Sequence, residues 1–366
     1  MVTTASSTFN FNAGPSALPK AILEKAQNSM FNYKKSGLSV MEMSHRSPLY
    51  EEIHFGALNK VRSILSIPEE FDILLLQGGA SLQFAMIPMN FLPKDKKAAY
   101  LMSGSWSEKA LKEARSIGQA YELSTSKDNK YKSIPNPNVE GVEENTAYIH
   151  ITSNNTIYGT QWPELPKEFG NQPVFVDASS DIFSQPIDWD HVDLVYAGAQ
   201  KNAGPSGITV VIIRKELMEK ANKDIPAILS YSTHAKGDSL YNTPPTAAIY
   251  MLGLMMDWLE EHGGINGIQN INEKKASLLY QMIDESNGFY KGHATKDSRS
   301  KMNVTFNLPT EELEKEFLNQ AKARGFVGLN GHRSIGGCRA SIYNGVPFEH
   351  VKKLVEFMEE FKSNNA

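Results

Sequence analysis

The chain has 366 residues, 41% of them apolar and 21% charged, with a formal net charge of −4. This is the composition of a globular protein with room for one large unit and one smaller one, and its slight acidity disfavours nucleic acid or an anionic membrane as partner. The only cysteine, Cys338, excludes a disulfide framework and a cysteine-based metal site, and it suits a reducing, cytoplasmic compartment.

The first residues, MVTTASSTFNF, show no basic start followed by an apolar stretch, so no secretory signal is expected. FNFNAGPSALP then reads as an extended, proline-marked segment. FDILLL (71–76) is a short apolar run, followed by QGGAS and a helix-like SLQFAMIPMNF. AAYLMSG (98–104) precedes another helical stretch, SWSEKALKEARSIG. NTAYIHIT (145–152), QPVFVDAS (172–179), VDLVYAG (192–198) and GITVVIIR (207–214) are further strand candidates. Runs that are apolar throughout, rather than alternating, suit strands buried on both faces. With helices between them they predict an α/β fold with a mainly parallel sheet. The longest apolar run, PPTAAIYMLGLMMDWLEE, is interrupted by Gly253 and Asp257 and falls short of the roughly 20 residues of a membrane span. It reads as a buried amphipathic helix.

Beyond about residue 258 the texture changes. A charged helix candidate, INGIQNINEKKASLLYQMIDES, leads to KMNVTFNLP, a helix in TEELEKEFLNQAKARG, the stretch CRASIYN and a last helix in FEHVKKLVEFMEEFK. The expectation is a large domain over 17–258 and a smaller α+β domain built from 1–16 and 259–366, with the N-terminal segment crossing to the smaller unit.

In open α/β sheets, ligands bind beyond the carboxyl ends of the strands. The residues there are Gly78-Gly79-Ala80-Ser81, Trp106, Ser153-Asn154-Asn155-Thr156, Asp177, and Gln200-Lys201. Each has an ordinary reading: a tight turn, a packing tryptophan, a helix-capping aspartate, a solvated lysine. No G-K-[ST] follows GGAS, and no G-x-G-x-x-G follows a strand, which argues against a nucleotide loop. Together the residues match the needs of pyridoxal 5′-phosphate. A lysine forms the Schiff base, an aspartate keeps the ring nitrogen protonated, an aromatic face stacks on the ring, and a Gly-rich helix start holds the phosphate. The 24 residues from Asp177 to Lys201 span one further strand, so the two can be neighbours.

The order GGAS, Trp106, Asn155-Thr156, Asp177, Gln200-Lys201 resembles the fold-type-I aminotransferases. FNAGPSALP, EMSHRSP (42–48), YNTPPT (241–246) and GHRSIGGCRASIYN (331–344) resemble more specifically the phosphoserine aminotransferase family of class V. The likeness runs from about residue 9 to the end. It implies a mainly parallel seven-stranded sheet in the large domain and one cofactor per subunit on Lys201, the catalytic base. It also implies Asp177 on the ring nitrogen, Trp106 stacked on the ring, and Thr156 near the ring hydroxyl. Ala80, Ser81 and Gln200 would hold the cofactor phosphate, reinforced by Asn242 and Thr243 of the other subunit of a homodimer. Some members carry arginine where this chain has Ser81, so contacts there are expected to differ. No metal is implied.

The substrate assignment has separate chemical support. A phosphorylated α-amino acid has two anionic ends. Arg339 suits bidentate capture of the α-carboxylate. His332 and Arg333, with His45 and Arg46, form the basis of a phosphate site; in the family His45 and Arg46 come from the neighbouring subunit. The reaction implied passes the amino group of L-glutamate to 3-phosphohydroxypyruvate, giving O-phospho-L-serine for serine biosynthesis. The family also implies 4-phosphohydroxy-L-threonine of pyridoxine (vitamin B6) biosynthesis as a candidate substrate. Rival readings are a serine–pyruvate-type aminotransferase, a cysteine desulfurase, for which the setting of Cys338 in GGCRAS is poor, and a non-catalytic phosphate-ligand-binding α/β protein.

Overall fold

The computed structural model describes residues 8–167 and 169–365; the first seven residues of the expected small unit, and its last, lie outside them. Seven strands form the main sheet. Their spatial order is Phe71–Leu76, Thr209–Arg214, Leu194–Gly198, Val174–Asp177, Thr146–Thr152, Lys97–Met102 and Gln119–Thr125. Only Thr209–Arg214 runs against its neighbours; the other six strands share one direction. Their carboxyl ends therefore collect along a single edge.

Side-chain alternation explains why these strands are apolar throughout. Leu75, Leu101, Ile149, Val176, Val195 and Ile212 pack on one face beneath helices Pro48–Leu65 and Thr246–Glu261. Leu74, Tyr100, Tyr148, Phe175, Tyr196 and Val211 pack on the other, against Gly79–Phe91 and Ser105–Ile117. Each such side chain, fully buried, contributes about 1.5–3 kcal/mol. Gln119–Thr125 is the exception. It lies at the sheet edge, only Leu123 of its seven residues is buried, and its sequence QAYELST carries no apolar run to mark it as a strand.

A separate core gathers Phe11 with Ala276, Leu279, Val304, Phe306, Phe317, Ala340 and Phe357 around a three-stranded antiparallel sheet, Lys291–Gly292, Asn303–Asn307 and Cys338–Ser341. The N-terminal Phe9–Asn10 pairs in parallel with Phe326–Val327 on the same unit. The long helix Gly264–Asp284 serves both cores: Ile265 and Ile268 join the large one, Ala276 and Leu279 the small one. A division at 258/259 is thus a proposal about where the chain changes unit, with this helix as the shared strut. Among the described residues no helix is long and apolar enough to cross a membrane.

Candidate active site

Lys201 lies in the turn after Leu194–Gly198, partly buried. Its Nζ donates a 2.7 Å hydrogen bond to Thr156 Oγ1, the only one the ammonium makes among the described residues, and lies 4.9 Å from the centroid of the Trp106 ring. Burial lowers its pKa from 10.5 to about 8. The carboxylates of Asp177 and Asp181 oppose that shift, and the charges of Arg339 and Lys109 reinforce it. An amine so tuned has a sizeable unprotonated fraction near neutrality.

Asp177 ends its strand and is 5% exposed. Its Oδ1 accepts from the backbone N–H of Ser179 at 3.0 Å and from the Ser179 hydroxyl at 2.6 Å, while no hydrogen bond engages Oδ2 among the described residues. Burial raises its pKa, against the pull of Lys201 and Ser179. Ser179 Oγ also accepts from Gly198 N–H at 3.1 Å, which fixes the Asp177 turn to the strand that delivers Lys201. The 24-residue spacing thus resolves into two adjacent parallel strands, with Asp177 beside Tyr196.

Two glycine turns shape the walls. Gly78 has φ +88°, and a side chain there would meet Leu82 at 2.5 Å; it turns the strand Phe71–Leu76 directly into helix Gly79–Phe91. The backbone N–H groups of Ala80 and Ser81, in the first turn of this helix, have no intrahelical acceptor. Ala80 N lies 3.5 Å from where a Cβ on Gly198 would stand. The helix start therefore abuts the strand that carries Lys201, and Gln200 lies in the intervening turn. At Gly104, φ +148°, a Cβ would stand 2.2 Å from Asn155 Nδ2. Ser107 Oγ accepts from the N–H groups of Ser103 and Gly104, and so starts the helix that projects Trp106.

The small sheet supplies Arg339. Its Nη1 donates to the Thr156 carbonyl at 3.1 Å, so Thr156 holds Lys201 with its hydroxyl and Arg339 with its backbone. Asn154 Nδ2 donates to Asn303 Oδ1 at 2.8 Å, fastening the Thr156 loop to the small sheet. His332 and Arg333 share an open cleft with Arg339, Asn12, Gly14 and Pro15. Gly14 packs on the aliphatic part of Lys201, and Ser16 N–H donates to the Gln200 carbonyl at 3.0 Å. His332 is held below the usual histidine value by burial and by Arg339, Arg333 and Lys109. At neutral pH the positive charge of that pair is therefore Arg333's.

Four sequence-selected residues share no hydrogen bond with Lys201, Asp177, Trp106 or Arg339 among the described residues. His45 and Arg46 form the turn before Pro48–Leu65, and their side chains make no hydrogen bond or ion pair among the described residues. Asn242 and Thr243 lie on an open loop beside the start of helix Gly79–Phe91, where Gln77 Nε2 donates to the Thr243 carbonyl at 3.1 Å. Sequence reasoning missed Ser179, Lys109, whose Nζ lies 4.2 Å from the Trp106 centroid, and the carboxyl of Asp181. The string DASSD after a strand was the available signal for two of these.

The donors present fit pyridoxal 5′-phosphate. Trp106 Nε1, Asn155 Nδ2 and Arg339 Nε are buried without a partner among the described residues. Asp177 offers a free carboxylate oxygen, the Ala80–Ser81 turn offers free N–H groups, and Lys201 offers an amine with open hydrogen-bond valence.

The class-V aminotransferase pattern matches residues 8–354. The phosphoserine aminotransferase of Lysinibacillus sphaericus is 58% identical over 98% of both chains. The solved phosphoserine aminotransferase of Bacillus circulans subsp. alkalophilus superposes with a TM-score of 0.96 at 50% identity, covering 99% of this chain and 100% of that one. The pyridoxal-phosphate-bound phosphoserine aminotransferase of Trichomonas vaginalis gives a TM-score of 0.91 at 36% identity, over 96% of this chain and 100% of that one.

Proposed function

This chain belongs to the class-V aminotransferases, and from that premise we propose that it moves the amino group of L-glutamate to 3-phosphohydroxypyruvate, releasing 2-oxoglutarate and O-phospho-L-serine. The observation that carries the reading is the single loop residue Thr156, which ties the amine of Lys201 to the guanidinium of Arg339. The base and a carboxylate-binding group are thereby anchored to one residue.

Bound pyridoxal 5′-phosphate supplies an aldehyde to take the amino group and a protonated ring to take up electron density from the substrate Cα. Lys201 would hold the cofactor through its amine and, once freed, would serve as the base for the substrate Cα proton; its pKa of about 8 suits that role. Asp177, through the oxygen its Ser179 bonds leave free, holds the ring nitrogen protonated. Trp106 provides the stacking face. The N–H groups of Ala80 and Ser81, with Gln200, hold the phosphate. Thr156, whose hydroxyl now accepts from Lys201, would lie near the ring hydroxyl. Arg339 binds the α-carboxylate common to both amino acids, and Arg333, assisted by His332, binds the phosphate that distinguishes one of them.

The proposal includes a homodimer in which His45 and Arg46 join the partner's substrate phosphate site, and Asn242 and Thr243 the partner's cofactor phosphate site. Exposed apolar residues flank these loops and support it: Phe31 is 79% exposed, Met41 69% and Tyr241 51%. Cytoplasmic placement is part of the same reading, consistent with the free thiol of Cys338.

The test is the half-reaction. O-phospho-L-serine added without any keto acid should convert the yellow protein to the pyridoxamine form, and L-serine at equal concentration should do so far more slowly. Equal rates with the two amino acids would remove the phosphate-site assignment. A protein colourless after cofactor addition would remove the reading itself.

A further inference from the structure

Behind Asp177 lies a second buried carboxyl that the mechanism above does not use. Asp181 is 5% exposed, four residues beyond Asp177 in the turn after the same strand. Ser153 Oγ lies 2.5 Å from Asp181 Oδ1 and 3.0 Å from the Asp177 carbonyl oxygen, and Gln161 Nε2 donates to Asp181 Oδ2 at 3.1 Å. A serine has one hydroxyl hydrogen and cannot give it to both oxygens. The Asp177 carbonyl already accepts the backbone N–H of Ser153 at 3.0 Å; a proton on Asp181 Oδ1, donated to Ser153 Oγ, frees the hydroxyl to donate to that carbonyl as well.

Charge counting leads to the same arrangement. With Asp177 and Asp181 both ionised, two buried negative charges share the field of Lys201, while Arg339 donates to the Thr156 carbonyl. Asp181 has polar partners at both oxygens, Ser153 and Gln161, as Asp177 has two bonds from Ser179, so the count of bonds does not choose between them; Asp177 must be ionised to keep a ring nitrogen protonated, which leaves the neutral state to Asp181. Asp181 and Ser153 also line a cavity against the sheet face that carries Val176 and Val195, whose other charged or titratable wall groups are Glu164, Lys167, Asp188 and His191. That cavity gives a proton leaving Asp181 a path that does not cross the substrate cleft.

We propose that Asp181 is a positioning residue for the transamination, the carboxyl that holds the site's surplus proton so that Asp177 stays ionised and Lys201 keeps its charge balance. Burial supports the assignment by pushing Asp181 up to about 7, with Ser153 and Gln161 opposing. Above that pH Asp181 loses its proton through the cavity, and its negative charge favours the protonated nitrogen of Lys201.

The inference rests on the cofactor reading above, and its test separates the two. The pH at which the bound cofactor's visible absorbance changes should fall by about one unit in Asp181→Asn. Asp188→Asn, on the cavity rim, should leave that midpoint unmoved, and Asp181→Glu should restore it in part. A midpoint in Asp181→Asn equal to that of the wild type overturns the proposal, whereas absence of any visible band counts against the cofactor instead. Infrared spectra of the wild-type apoprotein give a second readout that needs no stable variant. A protonated carboxyl stretch should be present at about pH 6, lost at about pH 8, and missing at both in Asp181→Asn. A wild type with no such band at pH 6, or an Asp181→Asn protein that retains it, overturns the proposal as well.

The apoprotein's stability adds an independent sign. A carboxyl raised from 3.8 to about 7 on folding leaves the folded state holding more protons between those values, so this group makes stability fall as pH rises from about 4 to about 7. Asp181→Asn should flatten that fall, and an unchanged slope counts against the assignment.

Discussion

Two lysines in this molecule are stripped of water in different ways, and the contrast shows what makes one of them reactive. Lys275, on helix Gly264–Asp284, is wholly buried, and its ammonium donates to the carbonyls of Ile342, Tyr343 and Val346 at 2.8–3.1 Å. Its three N–H bonds have three fixed acceptors, and among the described residues no carboxylate pairs with it. Burial lowers its pKa to about 7, further than that of Lys201. Lys201 has one hydroxyl acceptor, an aromatic face, the Asp177 carboxylate within its field, and is only partly buried. Depressed basicity alone therefore does not mark a catalytic amine. Unfilled hydrogen-bond valence beside a cleft does, and a lysine whose donors are all spent on backbone carbonyls is a structural clasp.

That clasp bears on the site at one remove. The segment Lys275 grips includes Asn344, whose N–H donates to Asn202 Oδ1 at 2.8 Å, immediately after Lys201. Asn344 Nδ2 donates to the Phe183 carbonyl and Asn272 Nδ2 to Asn344 Oδ1, so the strut helix, the small sheet and the Lys201 turn meet in one polar joint.

Exchanging the roles of the two lysines by mutation is the most forceful way to break this comparison. Lys201→Ala should lower turnover by about 10⁴-fold or more while leaving thermal stability of the apoprotein within about 1 kcal/mol. Lys275→Met should do the reverse. Three buried carbonyls lose their donor, stability should drop by about 3 kcal/mol, and turnover at 25 °C should stay within about tenfold. Melting curves and steady-state rates on the two variants decide it. A Lys275→Met protein of full stability would mean that its three hydrogen bonds contribute nothing.

The next effect is on substrate discrimination. Arg339→Ala should raise KM for glutamate and phosphoserine alike, by about 10- to 100-fold for a charge-assisted contact, because the α-carboxylate is common to both. Arg333→Ala and Arg46→Ala should weaken phosphoserine and spare glutamate. Equal losses for both amino acids in the Arg333 variant would place that guanidinium outside the phosphate site.

The smallest effect is on rate against pH. Only the unprotonated amine of Lys201 can attack the cofactor aldehyde, so uptake of pyridoxal 5′-phosphate by the apoprotein should rise with pH through a midpoint near 8. A midpoint near the 10.5 of an ordinary lysine would show that burial does not tune this group.

The sequence disclosed the strands whose both faces are buried, because FDILLL, VFVD, LVYAG and TVVIIR are apolar without alternation. It concealed Gln119–Thr125, which an edge position leaves polar. Within the site, Lys201, Asp177, Trp106 and Thr156 were legible as chemistry placed at strand ends. Ser179 and Asp181 were not, since a serine or aspartate in a turn ordinarily caps backbone, and only the fold sets Asp181 against Ser153 and Gln161. His45, Arg46, Asn242 and Thr243 lie at no strand end and were legible only through the family resemblance, because their proposed target belongs to another copy of the chain.

The most direct measurement is to reduce the cofactor-loaded protein with borohydride and map the modified peptide by mass. Attachment on Lys201 alone, with Lys275 unlabelled, is the result this account predicts. A label on Lys275 or on any other lysine, with Lys201 free, would contradict its central claim, that an amine poised at a strand end with open valence is where the chemistry happens.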